Sequence, residues 1–309
     1  MRPNRSLPYR KIREFLGELY TIFLLLIDSG LESFKLKPKF AFDVNESDLS
    51  EKSCGRVAIF AAFVNTEIEK FEVERVIKLL TSELDSLILV NTGSLEFEFA
   101  QPNFRYFHRM NFGRDLASYK YALNTINLES TSELFFFNDS VLWTDNSILN
   151  FLTKARESIL SVTSLTSSDQ HTFHLQSYAL HLKGNIAELT KAFSVIRISN
   201  LKRVIVEAGE KALSQYWMTK QIGIGSVYTQ DSLSPLLAKY KSLYLEDYDQ
   251  ILSLLSQNVP LNPSIHLWAP LYAQSGVVKN VLLTKNPAQL KYAPKTIEEL
   301  QSKVALDKN

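Results

Sequence analysis

The chain has 309 residues, 45% of them hydrophobic, enough to bury a large core in one sizeable α/β domain or two small ones and to exclude disorder of the whole chain. Its 34 basic and 33 acidic residues leave a formal net charge of +1, so no global field draws it to nucleic acid or acidic polymers, and any binding is local. Cys54 is the only cysteine, which excludes an intramolecular disulfide and a cysteine-based zinc site and suits a reducing cytoplasm.

At the N-terminus Arg2, Arg5, Arg10, Lys11 and Arg13 precede an apolar run from Ile22 to Ile27. That order imitates a signal peptide, but Glu14 and Glu18 interrupt the approach, Asp28 closes the run, and no small-residue cleavage site follows. The run is also too short to cross a bilayer. The spacing predicts an amphipathic helix from Tyr9 to about Phe34. Its apolar face either packs on the domain or dips Phe15, Leu19, Phe23 and Leu26 into lipid as a peripheral membrane contact, with the arginines near anionic head groups. From about Lys35 to Gly55, Pro38 mixed with Asp43, Asn45, Glu46 and Asp48 reads as a linker. Residues 1–54 are thus helix and linker, 55–290 the main domain, and 291–309 a charged tail.

Val57 to Val64 is a continuous apolar run of the length of a strand buried on both faces, as in parallel sheets. Glu69 to Glu83 has helical spacing, and Ser86 to Asn91 returns to a buried strand, which makes a right-handed βαβ unit. The alternation continues with a strand over Phe104 to Met110, a helix over Leu116 to Ile126, a strand over Glu133 to Asn138 and a helix over Ser147 to Ile159. Ser161 to Leu165 and Ser177 to Lys183 read as further strands, and Ile186 to Phe193 and Val204 to Lys220 as helices. A turn at Gly223-Ile224-Gly225 follows, then helices over Tyr248 to Leu255 and His266 to Ser275, with a break at Asn262-Pro263, and a strand over Val277 to Thr284. The fold class is α/β, Rossmann-like, with a mostly parallel central sheet.

In such sheets ligands bind beyond the carboxyl ends of the strands. Three strands end in polar groups that together could line a nucleotide cleft: Asn65-Thr66, Asn91-Thr92-Gly93, and Asn111-Phe112-Gly113-Arg114-Asp115. In the last, Gly113 permits close backbone approach and Arg114 offers a planar fork for phosphate at a helix N-terminus, while Asp115 caps the helix or holds the arginine. An ordinary strand-to-helix turn would show the same pattern. The fourth strand, Leu134 to Phe137, is wholly apolar and runs into Asn138-Asp139-Ser140, where a metal-bound diphosphate could be met. A hard cation such as Mg2+ or Mn2+ needs only one or two carboxylates plus substrate phosphates, and Asp139 is the single acid of that triplet; a turn in which Asp139 satisfies backbone amides reads equally from the pattern.

Glu207 and Glu210 lie at i and i+3 on one predicted helix, as a shared solvated face or as candidates for a general base. Among the histidines, His171 and His174 sit in a Ser/Thr-rich loop, while His108, His181 and His266 are scattered. None forms a zinc signature such as H-E-x-x-H, and core, capping or substrate hydrogen-bonding roles follow. The absence of a G-x-S-x-G elbow and of a P-loop weakens hydrolase and kinase readings, and Gly223-Ile224-Gly225 lacks the remaining glycine of a dinucleotide fingerprint.

Taken in order, Asn111-Phe112-Gly113-Arg114-Asp115 with Tyr119, then Phe136-Phe137-Asn138-Asp139-Ser140, resemble motifs of the rhamnan synthesis protein F family of bacterial polysaccharide glycosyltransferases. Glu210-Lys211-Ala212-Leu213-Ser214 is similar to that family's glutamate-x-glycine-leucine-serine segment, with Ala212 in place of the glycine. Asn262-Pro263, His266-Leu267-Trp268, and Lys279 through Asn286-Pro287 resemble its C-terminal pattern, so the similarity spans roughly Val57 to Pro287. The resemblance implies an A-type glycosyltransferase fold, a nucleotide-sugar donor, commonly dTDP-L-rhamnose, and transfer to a surface polysaccharide or its lipid-linked precursor. It implies that Asn111, Gly113, Arg114 and Asp115 border the donor, that Asp139 stands near the diphosphate or a metal, and that Glu210 is the base of an inverting displacement. Lipid-linked acceptors would place the chain at the inner face of the cytoplasmic membrane. The single acid at Asn138-Asp139-Ser140 also suits a non-catalytic glycan-binding or scaffold subunit.

Overall fold

A computed structural model of the chain describes residues 53–98, 102–170, 172–244 and 246–284. The expected N-terminal helix, most of the linker, the charged tail and His171 lie outside the described residues. Among the described residues no helix is long and apolar enough to cross a membrane.

Among the described residues the centre is a mixed sheet of eight strands in the order β3-β2-β1-β4-β8-β6-β7, with β9 (Ile224–Tyr228) paired to β6. Four of these, β1 (Ser53–Ala62), β2 (Ser86–Asn91), β3 (Phe104–His108) and β4 (Ile126–Asn138), run parallel. Beyond β4 the sheet turns antiparallel, through β8 (Ala179–Lys183) to β6 (Val162–Ser168) and the two-residue β7 (His174–Leu175). A second small sheet pairs β5 (Val141–Leu142) with β10 (Val278–Lys279).

The apolar runs of β1, β2 and β4 are continuous because both sheet faces are covered. Alternate residues divide between two cores: Ala58, Phe60, Phe135 and Phe137 join one, while Val57, Ile59, Leu134 and Phe136 join the other. Three helices fix the loops at the strand ends. α1 (Glu67–Glu83) opens with a reciprocal capping box between Thr66 and Glu69, and α3 (Asp145–Glu157) opens with one between Thr144 and Ser147. α2 (Arg114–Leu123) starts instead from Gly113 in the left-handed region, φ 74°. There a Cβ would meet Ile198 Cγ2 at 2.1 Å, so both the turn and the close packing require glycine.

Three expectations change. Ile224–Tyr228, expected in part as a turn, is the strand β9, parallel to β6, because Gly225 lets the chain lie against Leu160. The helix expected over Val204 to Lys220 begins at Lys202 and is interrupted by a π-helical turn, Val206–Glu210, before resuming over Lys211–Thr219. The strand expected from Val277 to Thr284 stops after two residues. Asn280 donates its N–H to the Ser140 carbonyl (3.0 Å) and its side-chain amide to the Asp139 carbonyl (2.6 Å), and Asn280–Thr284 is helical.

Candidate functional site

The chain leaves β1 for β2 on one side and returns through β3 to β4 on the other, so a crevice opens where β1 and β4 end side by side. A cavity of about 510 Å³ occupies this position. Its wall is built from the end of β1 (Ala61 to Phe63), Thr92 after β2, Asn111, Arg114 and Asp115 at the start of α2, and Asn138 to Ser140 after β4. Register explains the meeting: Ala61 is the partner of Asn138, and the next N–H, of Asp139, donates to the Ala61 carbonyl at 3.3 Å.

Asp139 is tied to β1, with the Phe63 N–H donating to its Oδ2 at 2.5 Å. Burial pushes its carboxyl up to about 6; the Phe63 N–H opposes this and the charge of Asp115 adds to it. Asn138 is 2% exposed and uses both ends of its amide. The NH2 donates to Asp115 Oδ2 (2.5 Å), while the oxygen accepts from the N–H (3.0 Å) and hydroxyl (2.6 Å) of Ser140.

Asp115 departs from its expected role as N-cap: Gly113 holds that position and Asp115 lies inside the first turn. Nor does the structure give it an ion pair with Arg114, whose backbone has φ 52°, a strained left-handed value for a non-glycine residue, here at the cavity wall. The Asp115 carboxyl belongs to a chain of contacts. Ser177 Oγ lies 3.3 Å from Asp115 Oδ2 and donates to Glu210 Oε1 at 2.7 Å, and the Ser177 N–H donates to the same Glu210 oxygen at 2.9 Å. Burial, then the charge of Glu210, hold Asp115 above the usual carboxylate range, while the N–H of Leu116 and the charge of Lys279 pull the other way.

Asn111, Arg114, Asp115, Asn138 and Asp139 are thus brought together on one cavity, with Gly113 just behind it. Asn65 and Glu210, also expected at the site, are not on its wall either. Asn65 accepts from the N–H (3.0 Å) and hydroxyl (3.1 Å) of Ser94 and braces the loop after β2, because the capping box at Thr66 turns the chain there. Glu210 stands behind Ser177. Its supposed companion Glu207 pairs with Lys211 at 2.7 Å, since the π turn moves the two glutamates off a common face.

Sequence reasoning missed Arg109, Asn200 and Ser177. Arg109 is 4% exposed and its guanidinium donates to the carbonyls of Met110 (3.0 Å), Phe112 (2.7 Å) and Arg114 (2.5 Å) and to Ser118 Oγ (2.8 Å). It moulds the loop that presents Arg114 and Asp115, and burial lowers it to about 10 against the opposing charge of Asp115. Asn200 lines the cavity and accepts the Gly113 N–H at 2.8 Å. The only sequence signal for either was a polar residue beside a strand end or in a loop.

Two of the described histidines are engaged within the protein itself. His181 is fully buried, stacked on Phe135 at 4.2 Å, and burial lowers it to about 4, while His266 lies beside the backbone of Asn262. Among the described residues no group of three or more His, Cys, Asp or Glu could hold a metal. At the end of β4 the acid is Asp139, with one oxygen engaged by Phe63. Asp139 and Asp115 are the two carboxylates on the wall; they do not cage a cation by themselves, and Mg2+ or Mn2+ there would need waters and the phosphates of a donor to complete its shell.

No protein-family profile matches the chain. It is 25% identical over 263 residues to virulence protein VirA of Vibrio anguillarum, a match covering 79% of this chain and 84% of that one. Two solved structures overlap loosely. The inositol-1-phosphate CTP transferase from T. maritima has a TM-score of 0.33 and 12% identity, covering 58% of this chain and 87% of that chain. The mannosyltransferase PcManGT from Pyrobaculum calidifontis, in complex with GDP-Man and Mn2+, has a TM-score of 0.39 and 9% identity, covering 94% and 86%.

Proposed function

We propose that the chain is a glycosyltransferase whose cavity takes the nucleoside diphosphate end of a nucleotide sugar. The observation that carries this is the placement of Arg114, the first turn of α2, Asn138 and Asp139 on one cavity at the carboxyl ends of β1 and β4. Arg114 supplies a charged fork for a phosphate, and the helix N-terminus favours the same negative charge. The resemblance of Asn111–Asp115 and Phe136–Ser140 to rhamnan synthesis protein F supports the finer reading. In it dTDP-L-rhamnose is the donor, and a bacterial surface polysaccharide or its lipid-linked precursor accepts the sugar at the inner face of the cytoplasmic membrane.

In the reaction the acceptor hydroxyl oxygen attacks the anomeric carbon and gives its proton to a carboxylate, the bond from that carbon to the diphosphate breaks, and the electron pair leaves with the nucleoside diphosphate. Arg114 meets the charge that develops there. Asn138 and the Phe63 N–H fix the acids around the reacting centre by holding Asp115 and Asp139. A divalent cation carried with the donor would be held by Asp139 and would offset the charge of the departing diphosphate.

The test is release of nucleoside diphosphate from dTDP-L-rhamnose, UDP-glucose and GDP-mannose by the wild type and by Asp139→Ala. Turnover of at least one donor is expected, with a loss of about a hundredfold or more in a folded Asp139→Ala variant. Nucleotide binding without turnover of any donor would favour the scaffold reading. Unchanged turnover in Asp139→Ala would remove that residue from the mechanism.

A further inference from the structure

The acid expected as the base, Glu210, does not reach the cavity wall, whereas Asp115 does. Between them stands Ser177, 4% exposed, with its single hydroxyl 2.7 Å from Glu210 and 3.3 Å from Asp115. Asn138 secures the opposite flank of Asp115 through its NH2. Two acids joined by one hydroxyl, only one of them facing the ligand, is an arrangement in which the hidden acid sets the charge of the exposed one. The π turn that ends at Glu210 is a local departure from helical geometry, held by the Arg197 N–H on the Ala208 carbonyl at 2.9 Å, and it is what aims Glu210 at Ser177.

We propose that Asp115 is the base that takes the proton of the acceptor hydroxyl, and that Glu210 is a positioning residue acting on it through Ser177. This rests on the glycosyltransferase reading above and deepens it. As the acceptor oxygen bonds to the anomeric carbon, its O–H bond breaks and the proton passes to the Asp115 carboxylate, while the diphosphate departs with the electron pair of the broken bond. The groups whose charge bears on Asp115 are Glu210 from the π turn, Asp139 from the end of β4, Arg109 from the end of β3, Lys279 from β10, and the Tyr119 phenol on its own helix. Burial and the Glu210 carboxylate keep Asp115 above an ordinary carboxyl, closer to the working pH of a base.

The experiment uses the full chain with Asp115→Asn and Glu210→Gln. It measures binding of UDP, GDP and dTDP by calorimetry, and the pH profile of kcat with whichever of UDP-glucose, GDP-mannose and dTDP-L-rhamnose the wild type turns over. Asp115→Asn is expected to keep nucleoside diphosphate affinity within about threefold and to lose about 10²-fold to 10⁴-fold in kcat, the usual contribution of a general base. Glu210→Gln is expected to stay within about tenfold of wild type and to move the acidic limb of its profile to lower pH, because a like charge beside Asp115 is gone. Equal losses in the two variants, an unmoved limb in Glu210→Gln, or loss of nucleotide binding in Asp115→Asn would overturn the proposal. Should Asp115→Asn fail to fold, the Glu210→Gln profile decides alone. A wild type that binds none of the three nucleotides refutes the glycosyltransferase reading itself, a result distinct from any of these.

Discussion

Asp139 is held in a state that favours its proton. Burial raises its carboxyl from an ordinary 3.8 to about 6, and the hydrogen bond from Phe63 only partly offsets the rise. The folded pKa lies above the unfolded one, so the associated stability is fully present below about pH 4 and is lost as the pH climbs through about 6. Asp139→Asn removes the titration while keeping an oxygen for the Phe63 N–H. The variant should therefore be more stable than wild type at pH 7.5 by roughly 2–3 kcal/mol, the equivalent of the raised pKa. The gain should fade towards pH 4.5. Denaturant melts at the two pH values check this, and an equal gain at both would show that Asp139 is not strained by its charge. An acid kept in such a place against stability is what a binding or catalytic site would retain.

At the scale of elements, the loop between β3 and α2 depends on Arg109. Its guanidinium donates to three carbonyls of that loop, those of Met110, Phe112 and Arg114, two of which also accept from the Phe112 N–H and the Ser118 hydroxyl. A hydrogen bond from a charged donor contributes about 1.5–3 kcal/mol. Arg109→Leu should destabilise the fold by roughly 2–4 kcal/mol in a denaturant melt and weaken nucleotide binding through the misplaced Arg114. A stable variant with normal binding would show the brace to be dispensable. This brace was not legible in the sequence, since an arginine at the end of a strand reads as solvent-facing until the carbonyls around it are placed. Asn138 and Asp139 were legible, because a strand as apolar as Leu134 to Phe137 must be buried and its first polar residues must emerge at an edge. Glu210 was legible as a residue but not as a contact: helical spacing paired it with Glu207, and the π turn, which leaves no mark in hydrophobic periodicity, turned it to Ser177.

For the whole molecule, the parallel half of the sheet followed from the sequence, since β1, β2 and β4 alternate with amphipathic helices and carry apolar runs buried on both faces. The other half of the sheet was harder to foresee. β9 begins at the glycines of an apparent turn, and its pairing with β6 comes from tertiary packing on Leu160. The C-terminal segment was also misread, because two-residue β10 exists only through its partner β5, which fastens it beside Asn138-Asp139-Ser140. These contacts converge on the crevice between the ends of β1 and β4, and the central claim is that this crevice binds a nucleoside diphosphate. The direct measurement is a calorimetric titration of the full chain with UDP, GDP and dTDP, in Mg2+ and in chelator, beside the Arg114→Ala variant. Binding of at least one nucleotide that persists in chelator and weakens about tenfold or more without the Arg114 fork is the expected result. No binding of any of the three, or equal binding by Arg114→Ala, would contradict it.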